Sequence, residues 1–277
     1  MRDILRLNDE FFEAILIAIV EGLTEFLPVS STAHMIFTSS FFGIQEDTFV
    51  KMFMVSIQLG SILAVVAMYW KRFFGANSKL FYVKLAFAVL PALVLGKLFD
   101  DAIEAVLGSP RPIAVMLIIG GVVLLFIDKV FQNPSIHSEQ EISIKKAVAI
   151  GFWQCLAMMP GTSRSAASII GGMQQGLSRQ AAAEFSFFLA VPTMLAVTTY
   201  SLFVKEWGLE GEGLTGVEMM METPQNLWLF LVGMVVAFVV AMIAIKFFIG
   251  IIKRYGFKPW GWYRIVVGIV LLAYFSF

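Results

Sequence analysis

Glu21-Gly-Leu-Thr-Glu25-Phe-Leu-Pro28-Val-Ser30-Ser31-Thr32-Ala33-His34 closes an apolar run that begins near residue 11. The run looks long enough to cross a membrane, yet Glu13, Glu21 and Glu25 interrupt it and Pro28 ends it. A second run, 147–159, lasts only thirteen residues before Pro160-Gly161-Thr162-Ser163-Arg164-Ser165-Ala-Ala-Ser168. Short apolar segments that stop at proline or glycine and continue into hydroxyl residues predict broken, re-entrant helices rather than plain spans.

The rest of the chain supplies the spans. Of 277 residues, 59% are hydrophobic and 14% charged, against roughly 45–50% and about 25% in soluble domains. Mean hydropathy is +0.84. A crossing helix needs about 20 mostly apolar residues. The stretches 52–70, 81–99, 185–204 and 227–252 meet that length, and 113–127 and 263–277 do so with their flanks, which predicts six crossings. Twenty basic and twenty acidic residues leave no net charge, so no basic field calls for nucleic acid. The single Cys155 excludes an internal disulfide framework. Arg2 and Arg6 precede an apolar run, but Glu13 and Glu21 bracket it and no A-x-A site follows, so residues 1–51 read as mature protein.

Loop charges predict the orientation. The 71–84 connection holds Lys71, Arg72, Lys79 and Lys84, and 251–262 holds Lys253, Arg254 and Lys258, neither with an acid. Both are expected on the cytoplasmic side, together with 128–146. The acidic 205–226 loop, the 100–112 loop and both termini then fall outside. Shifting the chain by 132 residues lays Pro28 on Pro160, Ser31 on Ser163, Phe53 on Phe185 and Leu63-Ala64-Val65 on Leu195-Ala196-Val197. Gly121-Val-Val-Leu-Leu falls on Gly268-Ile-Val-Leu-Leu at a shift of 147. One transmembrane domain, 1–277, is therefore expected to hold two repeats, about 1–130 and 145–277. Three crossings in each would turn the second repeat upside down. The expected fold is an all-α polytopic membrane protein with inverted topology, six spanning helices and two re-entrant hairpins, its site near the midplane.

Glu21 and Glu25 lie four apart on one helix face. Burying each at the bilayer centre costs about 2.5–3.5 kcal/mol, so the pair should meet a cation, share a proton or face a wet cavity. An oxygen-only pair suits Mg²⁺ completed by substrate phosphate. Ser30, Ser31 and Thr32 would do no more than start a helix, except that His34 follows three residues after Ser31. His137, in a polar loop, reads as solvated surface. Arg164 sits among hydroxyls at a helix start, where guanidinium and free N–H groups suit an anion. Glu184 reads as part of a helix start, and Gln58 is a further polar group at a span edge.

EGLTEFLPVSSTAH (21–34) and PGTSRSAAS (160–168) resemble the two signature motifs of the undecaprenyl-diphosphate phosphatases, the bacitracin-resistance membrane enzymes of bacterial cell-wall synthesis. The likeness extends to IQLGSILAVV (57–66) and AAAEFSFFLAVP (181–192). It implies hydrolysis of a polyprenyl diphosphate to the monophosphate in the bacterial plasma membrane, at a site open to the outer face. A divalent cation is implied, Mg²⁺ first and Ca²⁺ second, held by Glu21 and Glu25. Glu21, Glu25, Ser31, His34 and Arg164 would be catalytic, and Ser30, Thr32, Ser163, Arg164, Ser165 and Ser168 would bind substrate. Ser31, His34 and metal-bound water all stay open as nucleophile, with Glu25 or His34 as base. Membrane lipid is the other expected partner, and a homodimer is compatible with the resemblance. The alternative is an ion-coupled transporter or lipid flippase using the same midplane residues. The enzyme reading requires Glu25 and Arg164 to reach one headgroup.

Overall fold

The computed structural model describes residues 2–75, 78–99, 110–208 and 213–275, with side chains from residue 9 onward. It is almost entirely helical. The first half runs α1 (Arg2–Thr24), α2 (Ser31–Phe42), α3 (Thr48–Ser56), α4 (Gln58–Met68), α5 (Trp70–Phe74), α6 (Ser78–Leu98) and α7 (Pro110–Val130). The second half runs α8 (Ile144–Gln154), a 3₁₀ turn (Cys155–Met158), α9 (Arg164–Gln174), α10 (Arg179–Phe203), α11 (Gly216–Met221), α12 (Pro224–Tyr255) and α13 (Lys258–Tyr274). A two-stranded ribbon, β1 (Glu206–Trp207) with β2 (Leu214–Thr215), decorates the acidic loop.

Among the described residues five helical segments are long and apolar enough to cross a membrane: Thr48–Met68, Ser78–Leu98, Pro110–Val130, Arg179–Phe203 and Pro224–Tyr255. They match five of the six expected crossings. The sixth expected stretch, 263–277, falls largely on α13, which is not among these five and whose 17 residues are about 26 Å long at 1.5 Å per residue. Outward faces are apolar, as lipid requires: Ile243 and Phe247 of α12 are both 63% exposed, and Val266 of α13 58%. The acids Asp100, Asp101, Glu104, Glu210 and Glu212, which entered the orientation argument, lie outside the described residues.

Both expected interruptions are present, for the expected reason. The ring of Pro28 disfavours helical backbone at Leu27, so α1 has ended at Thr24 and α2 starts at Ser31. In the second half the regular helix stops at Gln154 and restarts at Arg164, beyond Pro160-Gly161. Helix α1 packs on α2, and α8 on α9. At both restarts the N-cap is a serine in left-handed backbone, Ser30 with φ 72° and Ser163 with φ 75°. These are the only non-glycine residues of positive φ among the described residues. They stand 133 positions apart, one more than the sequence match at 132 suggested.

The remaining packing recurs in the same pairs. Helix α1 lies on α12 and α8 on α6, while α7 packs on α13 and α4 on α10. Close approach depends on missing side chains: a Cβ on Gly22 would stand 2.7 Å from the Ala237 carbonyl, and one on Gly151 would collide with the Ala88 carbonyl. Small residues at such crossings are how helices pack without a hydrophobic drive in lipid.

Polar ties gather the basic loops at one end. Lys84 donates to the Glu139 and Gln140 carbonyls at 3.1 and 2.8 Å, and Arg72 pairs with Glu139. Asp128 accepts from Arg179 at 2.5 Å and from the Phe257 N–H at 2.7 Å. Elsewhere Gln225, at the start of α12, meets Glu10 of α1, and Arg111 reaches the Phe275 carbonyl at 3.2 Å.

Candidate active site

The two interruptions meet. Glu25, in the turn after α1, accepts from Arg164 Nη2 at 2.8 Å on Oε1 and from the Ser31 hydroxyl at 2.6 Å on Oε2. The ion pair joins residues 139 apart in sequence, and its side chains are 3% and 9% exposed. The required approach of Glu25 and Arg164 is therefore met by direct contact. Arg164 also donates to the Ser186 carbonyl at 3.0 Å, and its guanidinium lies 5.8 Å from the Phe26 ring centroid.

The neighbouring hydroxyls divide into two kinds. Ser165 Oγ donates to the Phe26 carbonyl at 2.8 Å, and Ser168 Oγ lies 2.7 Å from Ser186 Oγ and 2.9 Å from the Arg164 carbonyl. Both brace one interruption against its surroundings. Ser163 Oγ caps α9 by accepting from Ala166 N at 3.2 Å. Ser30 makes no side-chain cap, so α2 begins with its first N–H groups uncapped by a side chain. Ser31 is the predicted hydroxyl that contacts a carboxylate. Thr32 is half-buried beside it.

His34 is one turn further along α2. Its Nδ1 is 2.8 Å from the Ser30 carbonyl, an acceptor only, so Nδ1 carries a proton. Nε2 is 2.8 Å from the Tyr263 hydroxyl, and the two rings stack 5.6 Å apart at 6°. Both ring nitrogens are thus engaged away from Ser31. His137 is exposed in the 128–146 loop, as expected. Glu184 lies in the second turn of α10, where it accepts from Gln180 at 2.8 Å.

Glu21 is fully buried, and neither carboxylate oxygen makes a hydrogen bond of good geometry. Glu25, Ser61 and Arg164 are the groups that act on it. Gln58 Oε1, Ser61 Oγ and Thr162 Oγ1 are likewise buried without such a bond. Among the described residues no group of three His, Cys, Asp or Glu side chains could hold a metal ion. A hard cation bound by one or two carboxylates, water and substrate phosphate does not need such a group. The orphaned oxygens of Glu21 fit that role. Those of Glu25 are both already engaged.

Sequence reasoning missed Ser186, Tyr263 and Arg264. Ser186 hides in the apolar stretch AAAEFSFFLAVP and carries no local signal. Arg264 did carry one, as a lone cation inside the expected 263–277 span, where ionisable groups mark functional sites. It is fully buried, and it donates to five main-chain carbonyls.

A buried serine–carboxylate–guanidinium set, built from two separated motifs, is specific enough to compare with known proteins. The profile of the family described as "Bacitracin resistance protein BacA" matches residues 14–270. The chain belongs to the BacA family. Similar members include an undecaprenyl-diphosphatase of Flavobacterium psychrophilum, 52% identical over 262 residues covering 95% of each chain. Another, from Bdellovibrio bacteriovorus, is 47% identical over 95% of each chain. A third, undecaprenyl-diphosphatase 1 of Clostridioides difficile, is 42% identical over 96% of each. The match covers both motifs and the helices between them, so every contact of the site lies within the family region.

Proposed function

We propose that this BacA-family chain is an integral membrane phosphatase that hydrolyses undecaprenyl diphosphate to the monophosphate and inorganic phosphate. The observation that carries the reading is the contact of Ser31, Glu25 and Arg164 where the two interruptions meet. The names of the full-length relatives supply the substrate. None of these names describes a transporter or flippase, and the set needs no coupling ion to explain its groups.

In this mechanism Ser31 Oγ attacks the terminal phosphorus as its proton passes to Glu25. The new O–P bond replaces the anhydride bond, and the lipid monophosphate leaves. Water then attacks the phosphoserine, releases phosphate and restores the hydroxyl. Arg164 and the first N–H groups of α2 and α9 spread the growing negative charge, where most phosphoryl-transfer catalysis originates. A divalent cation, Mg²⁺ or Ca²⁺, would be held by Glu21 with phosphate oxygens and would supply further charge neutralisation. Glu25 would assist from its free lone pairs. Ser31 is favoured over His34 as nucleophile because its hydroxyl already lies on a carboxylate, whereas both imidazole nitrogens are turned to Ser30 and Tyr263. Thr32, Ser163, Ser165 and Ser168 line or brace the phosphate site.

The finer architecture belongs to the same proposal. Two repeats of opposite topology, about 1–130 and 145–277, are supported by the paired contacts α1 on α12 with α8 on α6, and by the matching strained serines. A two-fold relation also explains why α7 meets its counterpart α13, and α4 its counterpart α10. The chain then has six crossings and two re-entrant hairpins in the bacterial plasma membrane. The polar ties that join 71–84, 128–146 and 251–262 support a common cytoplasmic end, with both termini and the site's opening outside. Membrane lipid surrounds it, and a homodimer is compatible with this arrangement.

The test is phosphate release from undecaprenyl diphosphate in proteoliposomes without any ion gradient, with and without chelator, for wild type and Glu25→Ala. Gradient-dependent uptake without release would establish transport instead.

A further inference from the structure

Among the described residues Arg264 is the largest fully buried side chain, at 0% exposure, and no salt bridge includes it. A guanidinium in an apolar bundle normally needs an anion. Its partners are instead carbonyls, and their positions are not random. Nη1 donates to Pro28 O at 3.1 Å and Thr162 O at 2.9 Å, and Nη2 to Gly161 O at 2.8 Å. These residues form the two helix interruptions. Nε and Nη2 anchor the same group to the Leu117 and Met116 carbonyls of α7, both at 3.2 Å.

The interruptions are also where the backbone is strained. Ser30 (φ 72°, ψ 91°) and Ser163 (φ 75°, ψ 117°) adopt conformations that L-residues avoid. Such strain persists only when the surroundings over-determine it. Arg264 grips the chain two residues before Ser30, and one and two residues before Ser163. Across a trans peptide the carbonyl and the following N–H point in opposite directions. Holding Thr162 O therefore turns the Ser163 N–H away from Arg264, at the mouth of α9. Among the described residues that N–H has no acceptor.

We infer that Arg264 is a positioning residue: one guanidinium clamps both interruptions in their strained form and keeps the Ser163 N–H presented to the substrate's phosphate. This deepens the proposed function and rests on it. The space for the clamp is itself built in. A Cβ on Gly120 would collide with Nη2 and stand 2.7 Å from Cζ. Five hydrogen bonds prevent the guanidinium from simply moving aside.

Two variants test this, Arg264→Lys and Gly120→Ala. Lysine keeps the charge but replaces a planar fork by a point donor, and alanine keeps the arginine but displaces it. Each should elute as a monodisperse protein in detergent and should lower kcat on undecaprenyl diphosphate about 10²–10³-fold, as loss of one preorganised N–H donor does. KM should change by less than about fivefold. Independently of turnover, a methylene-bridged polyprenyl diphosphate should shift the Ser163 amide resonance of ¹⁵N-labelled wild type and leave it unmoved in both variants. Wild-type kcat in folded Arg264→Lys, or a ligand-induced Ser163 displacement in the variants as large as in wild type, overturns the clamp. A wild type that releases no phosphate overturns the enzyme reading, and the amide shift still decides the role of Arg264.

Discussion

Replacing Glu25 by glutamine removes one charge and almost no volume from the point where the two motifs touch. The side chain is 3% exposed and its partner Arg164 9%, so little water can replace the lost anion. Breaking a buried pair by neutralising one partner costs about 3–5 kcal/mol, because the other charge stays behind. The amide oxygen can still accept from either Arg164 or Ser31, which puts the expected loss near the lower figure. Glu21→Gln is the built-in control. Glu21 is just as buried, yet its oxygens make no hydrogen bond of good geometry, so neutralising it should leave stability unchanged or raise it. The catalytic effects should not follow the stability effects. Loss of a general base lowers kcat by about 10²–10⁴-fold, so folded Glu25→Gln should fall in that range. Thermal unfolding in detergent, followed by tryptophan fluorescence, reads the first quantity, and phosphate release at saturating lipid reads the second. If Glu25→Gln unfolds at the wild-type temperature and keeps kcat within threefold, the ion pair neither holds the motifs together nor activates Ser31.

Three further outcomes follow from other contacts. Tyr263→Phe keeps the ring stack on His34 but deletes the hydroxyl 2.8 Å from Nε2; a neutral hydrogen bond is worth about 0.5–1.5 kcal/mol, so steady-state kinetics should show no more than about a tenfold loss. Gly151→Leu would drive a side chain into the Ala88 carbonyl and part α8 from α6, and overpacking costs about 1–3 kcal/mol or more. It should lower the unfolding temperature in detergent more than the same change at Gly250, where nothing lies within 4 Å. Outside the spans, the Thr215 N–H and hydroxyl hold the Glu218 carboxyl below its ordinary pKa. A lowered folded pKa means the capping box of α11 contributes above the usual carboxylate range and is lost as pH falls through the depressed value. NMR titration should show Glu218 protonating at lower pH than an unpaired glutamate, and Thr215→Ala should reduce the difference without abolishing it, because the main-chain N–H, the larger cause, remains.

The apolar stretches, the broken segments and the site's polar residues were legible because bilayer chemistry leaves few choices. Every span must be a helix that satisfies its own backbone, and a carboxylate or guanidinium inside one must have a use. Hence Glu21, Glu25 and Arg164 stood out by residue type, as did the stops at Pro28 and Pro160-Gly161, whereas Ser31 was singled out by its place three residues before His34. Residue type does not encode distance. That Glu25 bonds both Ser31 and Arg164, a residue 139 positions away, while Glu21 makes no hydrogen bond of good geometry, is set by how the two interruptions are brought together. The same holds for His34, whose proximity to Ser31 in sequence suggested a shared task until the ring proved to lie against Tyr263 of the last helix. Arg264 is the clearest case: its charge was visible in the chain, but its partners are carbonyls, which every residue possesses and no sequence pattern marks. Local composition settles which groups are costly to bury, and only the tertiary packing decides which groups compensate each one.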